Sequence, residues 1–152
     1  MERQLTDMNT AMPATTILQT AFSLPVRVYY QDTDAGGVVY HSTYLNFMER
    51  ARYEWLRQLG FDAQSLEQVH KIQFMVRSLN IEYRKPAVLD DLLGVTLAVA
   101  AIGRSRITLS QQVMLDHTVL ARATVEAVCV GAESLKPVSV PAALRQKMEP
   151  IK

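Results

Sequence analysis

Tyr30-Gln31-Asp32-Thr33-Asp34-Ala35-Gly36-Gly37-Val38-Val39-Tyr40-His41 runs through Ser42-Thr43 into Tyr44-Leu45-Asn46-Phe47-Met48-Glu49-Arg50-Ala51-Arg52. The first half is turn chemistry, with two aspartates and a glycine pair. The second half carries apolar residues at helical spacing. Together they set a carboxylate on a glycine turn just ahead of a helix start. The first N–H groups of a helix have no partner within it. A carboxylate beside such donors is a base or nucleophile next to an oxyanion site, an arrangement suited to acyl transfer.

The flanking sequence supplies a scaffold for that turn. Pro25 precedes Val26-Arg27-Val28-Tyr29-Tyr30, a short β-prone run. A helix is expected from about Ser42 to Leu59, capped by Ser42 or Thr43 and stopped by Gly60. Leu45, Met48, Arg52, Trp55, Leu56 and Leu59 make its mostly apolar face. Asp62 caps a shorter helical stretch to about Val69. The period then changes to two. Leu79, Ile81 and Tyr83 alternate with polar residues until Pro86. Val95, Leu97 and Val99 share one parity, as do Ile107, Leu109, Gln111, Val113 and Leu115. Val119, Ala121, Ala123, Val125, Ala127 and Cys129 form the last run. Three long strands joined by short turns make an antiparallel meander. One long helix against one antiparallel sheet of about five strands is an α+β, two-layer plan. Strand edges of this length need covering, which points to pairing between subunits.

Composition narrows the class. The 152 residues fit one domain, and 49% apolar residues supply its core. Residues 1–22 read as a loose leader, 23–137 as the domain, and 138–152 as a C-terminal extension marked by Pro137 and Pro141. A formal net charge of +1 gives no field for non-specific nucleic-acid binding. A single cysteine excludes an internal disulfide and fits a reducing compartment. The N-terminus lacks the pattern of a signal peptide, and no run reaches the roughly 18 apolar residues of a membrane helix. A cytoplasmic protein is expected, with peripheral attachment to the inner membrane left open.

Several residues carry chemistry with two readings each. Asp34 is either a turn former or a general base or nucleophile. Gly36 and Gly37 permit close backbone approach, which would open the N–H groups of Tyr40 and His41 to a carbonyl. His41 acts through its backbone alone or adds an imidazole. Asp32 sets the turn by a hydrogen bond. Glu49 either faces a pocket, binding polar substrate or water, or pairs with Arg52 on the helix surface. Arg104 and Ser105 follow Gly103 as a hairpin flank or a phosphate contact. Cys129 reads as a buried, unreactive thiol. No histidine pair has metal-ligand spacing, so neither metal nor redox cofactor is expected.

Val28-x-x-x-Asp32-x-Asp34-x-x-Gly37-x-Val39-Tyr40-x-x-x-Tyr44-x-x-x-x-Glu49 resembles the signature of the hotdog-fold 4-hydroxybenzoyl-CoA thioesterase family. Val26–Tyr30, Asp32–His41 and Glu49-Arg50-Ala51-Arg52 resemble its Tol–Pal-associated acyl-CoA thioesterase branch. The likeness covers about residues 24–137. It implies a long helix wrapped by an antiparallel sheet, a homodimer or homotetramer, and active sites between subunits. Asp34 takes the place of the family's catalytic aspartate, and His41 that of the residue whose N–H polarises the thioester carbonyl. The nucleotide-binding segment falls near Arg104 and Ser105. The function implied is hydrolysis of an acyl-CoA thioester, with acyl carrier protein as an alternative thiol donor. Two other readings are a hotdog hydratase and an acyl-binding or envelope-associated scaffold protein with weak hydrolysis. Neither acyl length nor the route, anhydride or general base, is legible in these residues.

Overall fold

A computed structural model describes residues 22–149. Its strands are β1 (Phe22–Arg27), β2 (Ile72–Tyr83), β3 (Leu92–Ile102), β4 (Arg106–Leu115) and β5 (Thr118–Gly131). Its helices are α1 (Thr43–Gln58), α2 (Ala63–Gln68) and α3 (Ala142–Met148). The strands form one antiparallel sheet in the order β1-β3-β4-β5-β2. This is the α+β, five-stranded plan read from the sequence, with β3-β4-β5 as the meander. The expectations for residues 1–21 lie outside the described residues.

Helix α1 lies across β1, β3 and β4. Tyr44, Phe47, Met48, Ala51 and Trp55 are its buried residues. The buried stripe is therefore turned from the one expected. Leu45, Leu56 and Leu59 sit at its margins, half-buried. Small side chains also line the buried side of β5, where Ala121 and Ala123 are both buried. They lie in the rows Val95–Val113–Ala121–Tyr83 and Leu97–Gln111–Ala123–Ile81. Gly60 ends α1 at φ +95°, where a side chain would be strained. Phe61 N–H donates to the Leu56 carbonyl and Gly60 N–H to that of Arg57, the paired bonds of a Schellman stop. Asp62 caps α2 as expected, accepting from Ser65 N–H at 2.8 Å.

Three elements depart from the sequence reading. Strand β1 ends at Arg27, and Tyr30–Asp32 forms a 3₁₀ turn instead of continuing the strand. Asp32 causes this by accepting from Tyr29 N–H at 2.8 Å, which folds the chain back. Strand β2 begins at Ile72, earlier than its alternation revealed, because the register shifts between Val76 and Ser78. A bulge reverses the inward parity and hides a strand from a period-two reading. The segment after Pro137 is part of the packing: Val140, Leu144 and Met148 join the hydrophobic core.

Leu144 is completely buried. Leu144→Ala is expected to cost about 2–5 kcal/mol. Urea unfolding should show a lower midpoint at unchanged slope. An unchanged midpoint would mean that α3 does not contribute to the core.

Candidate active site

The chain from Asp32 to His41 doubles back as a miniature hairpin. Thr33 bridges to Val39, and Asp34 N–H donates to the Val38 carbonyl at 2.9 Å. Gly37 N–H closes the turn on the Asp34 carbonyl at 3.0 Å. Gly37 has φ +85° with open space around it, so the backbone, not crowding, selects glycine there. Gly36 has no such angle; its N–H donates to Asp34 Oδ1 at 2.8 Å. The turn and base readings of Asp34 are thus compatible. One carboxylate oxygen sets the turn, and Oδ2 accepts no hydrogen bond among the described residues. Asp34 is exposed.

The hairpin is pinned to the loop between β2 and β3. Val39 N–H donates to the Ala87 carbonyl at 2.9 Å, and Val38 bridges to Val88. Ala87 N–H in turn donates to the buried Tyr44 hydroxyl at 3.0 Å. Burial pushes the Tyr44 phenol up from its ordinary range, so it stays protonated.

The start of α1 is open. Ser42 occupies the cap position with helical angles, and its side chain makes no capping bond. The cap expected of Ser42 or Thr43 is therefore missing, since a capping side chain needs an extended backbone at that position. Tyr40 N–H is engaged by the Asp32 carbonyl at 3.0 Å, which removes it from the donors expected to face a substrate. His41 N–H and Ser42 N–H donate to nothing among the described residues. His41 itself is exposed, its ring 4.5 Å from that of Tyr40.

Glu49 and Arg52 do not form an ion pair. Glu49 is exposed, while Arg52 turns inward and donates from Nη1 to Gln111 Oε1 at 2.9 Å. Burial lowers the Arg52 guanidinium from its ordinary value, with Glu49 opposing that shift. Both residues border a cavity of about 200 Å³ between α1 and the first half of β2. Its other walls include Trp55, Phe74, Met75 and Leu109. It slightly exceeds the roughly 150 Å³ cavity that accepts benzene in an engineered protein.

Arg104 and Ser105 lie at the other end of the sheet from Asp34. Arg104 Nη1 meets Ser139 Oγ at 3.2 Å, and the Ser105 carbonyl accepts from Cys129 N–H at 2.7 Å. The hairpin loop packs against the start of β3, whereas Arg104 follows its end, 11 residues on. At about 3.3 Å per residue that is on the order of 35 Å. One chain does not bring Arg104 beside Asp34. Cys129 is buried, and its thiol is pushed up to about 11 by that burial. Among the described residues no group of three or more His, Cys, Asp or Glu is placed to hold a metal, and no helix is long and apolar enough to cross a membrane.

Two residues named only as strand positions take on roles that the sequence reading did not assign. Gln111 occupies a core-facing position of β4, and a polar residue in that parity was the available signal. Tyr83, at the end of β2, donates from its hydroxyl to the His41 carbonyl at 2.8 Å. Nothing in the sequence pairs these two positions, 42 residues apart.

A helix laid across one antiparallel sheet, with a carboxylate turn at its open start, defines the hotdog class of thioester-processing folds. The sequence matches the thioesterase-like superfamily over residues 28–148, and the chain belongs to that family. It is 47% identical over 125 residues to the acyl-CoA thioesterase YbgC of Haemophilus influenzae, covering 82% of this chain and 92% of that one. It is 42% identical over 123 residues to the acyl-CoA thioester hydrolase YbgC of Escherichia coli O157:H7, covering 80% and 91%. A probable thioesterase from Bartonella henselae superposes with a TM-score of 0.77 at 35% identity, covering 80% of this chain and 99% of that one.

Gly37→Ala should cost about 1–2 kcal/mol from the left-handed backbone alone. Chemical denaturation measures it; no loss would mean the turn readily adopts another form. Cys129 should resist thiol reagents at pH 8 until the chain unfolds. Burial that disfavours the thiolate also makes stability depend on pH. The unfolded thiol ionises near 9.0, so its contribution to stability is complete below that pH and is lost as pH rises towards about 11.

Proposed function

We propose that the chain hydrolyses acyl-CoA thioesters to a free acid and coenzyme A, with Asp34 as general base or nucleophile. The observation that carries this is the pairing of a free carboxylate oxygen with an open helix start on one short hairpin. As base, Asp34 Oδ2 takes a proton from water while the water oxygen attacks the thioester carbonyl carbon. As nucleophile, it attacks that carbon itself and forms an anhydride that water then opens. Either way the carbonyl oxygen gains negative charge, and coenzyme A leaves as a thiolate that needs little protonation. His41 N–H supplies the oxyanion contact, with the role first assigned to Tyr40 passing to Ser42 N–H. One such donor is worth about 3–4 kcal/mol in a transition state. The names of the relatives, acyl-CoA thioesterases at 47% and 42% identity, support this reaction class.

The exposed edge of β2 supports a site completed by a second copy. This strand has 12 residues, and Met75, Val76 and Tyr83 stand exposed on it. Two copies paired antiparallel about its middle would set the cavity at Met75 of one beside Tyr83 and His41 of the other. The acyl group would enter that cavity, with Glu49 at its mouth. The same pairing carries Arg104 of one copy towards Asp34 of the other, which is the way a coenzyme A phosphate could reach it. Acyl carrier protein remains a candidate thiol donor under the same geometry.

Asp34→Asn should fold with an unchanged melting curve and lose about 10²–10⁴-fold in turnover. Thiol release from a panel of acyl-CoAs, short to long and benzoyl, measures it. A variant near the wild-type rate would remove Asp34 from the chemistry. Arg104→Ala should raise KM for acyl-CoA several-fold more than for a short thioester lacking the nucleotide. Equal effects on both would exclude the phosphate contact.

A further inference from the structure

We infer that Tyr83 is a positioning residue for the oxyanion contact, and this rests on the thioesterase reading above. The two open N–H groups, of His41 and Ser42, belong to successive peptide units. The carbonyl of the first unit is that of Tyr40, and it accepts from Thr43 N–H at 2.8 Å. The carbonyl of the second is that of His41, and it accepts from the Tyr83 hydroxyl at 2.8 Å. Both peptides are therefore polarised from behind. A hydrogen bond to a carbonyl draws charge through the amide and strengthens the N–H on its far side as a donor.

The helix itself does not supply the second contact. Leu45 N–H, the usual partner of the His41 carbonyl, donates instead to the Ser42 carbonyl at 3.1 Å. The first turn is tightened, and the His41 carbonyl is free to take the phenol. Tyr83 is held for this purpose by its neighbours. Its ring meets that of Tyr44 edge-on at 5.4 Å and that of His41 at 6.4 Å. Tyr44 is tied through Ala87 to Val39, within the catalytic hairpin. Burial, then the neighbouring Tyr44, raises the Tyr83 phenol, so it remains a donor at neutral pH. The contact also joins the exposed edge strand β2 to the helix start, so whatever covers that edge bears on the oxyanion peptides.

Tyr83→Phe removes one oxygen and keeps the ring. It acts one peptide away from the reacting carbonyl, so its effect is smaller than the loss of a direct donor. We expect kcat to fall about 10-fold with KM within about 2-fold of wild type, since the interaction strengthens only as charge develops. The direct readout is the carbonyl stretch of a bound acyl-CoA, measured by difference infrared spectroscopy in Asp34→Asn and in Asp34→Asn/Tyr83→Phe. The bound carbonyl should shift to lower frequency in the first protein and shift less in the second. An unchanged kcat, or a reduced kcat with the carbonyl band unmoved, would overturn the assignment and leave Tyr83 a packing residue. Absence of hydrolysis by the wild-type protein on every thioester would instead strike the underlying reaction.

Discussion

Gln111 fixes where α1 lies, and the open start of that helix depends on the placement. It is a fully buried polar side chain in the middle of β4. Its amide donates to the Met48 carbonyl at 3.1 Å and to the Thr96 carbonyl at 3.4 Å, while its oxygen accepts from Arg52 at 2.9 Å. Apolar contacts are non-directional and would let the helix slide or turn by a few degrees. A side chain held by β3 that bonds both the Met48 carbonyl and the Arg52 guanidinium of α1 does not. A buried amide deprived of these partners costs about 1–3 kcal/mol, so alternative settings of the helix are disfavoured.

That placement matters because the Asp34 carboxylate and the open N–H groups sit at the helix end and not along its face. The hairpin of Asp34 reaches the helix start through backbone bonds, and the 85–91 loop supports both. The acidic group, the open N–H groups and their rear contacts therefore come from three separate stretches of chain. Each is short and internally bonded. Of the two readings of Glu49, the pair with Arg52 does not form: Arg52 holds Gln111, and Glu49 borders the cavity. Arg52 lays its stem along the half-buried flank of α1 while its guanidinium meets a fixed acceptor.

The antiparallel sheet serves the site in a second way. Its central strands are flanked on both sides, but β2 has a neighbour on one side only. The cavity and the Asp34 hairpin lie towards opposite ends of that strand. Antiparallel pairing of two copies, as proposed above, would bring the two ends together. A long unpaired edge is otherwise an aggregation hazard, so covering it would meet a physical need.

By itself the sequence determined the two-layer plan, the meander, the stop at Gly60, the cap at Asp62 and the carboxylate turn before α1. These follow from local chemistry: side-chain period, positive φ and capping act within a few residues. The hidden half of β2 was lost to a bulge, and the docking of α3 to its short length, too brief for a periodic signal. Only the tertiary structure decided that Tyr40 N–H is closed, that Ser42 does not cap, and that Arg52 bonds Gln111. It alone placed Tyr83 behind the His41 carbonyl. The Arg52 and Tyr83 contacts join residues 59 and 42 positions apart, and a hydrogen bond across such a separation leaves no mark in local spacing.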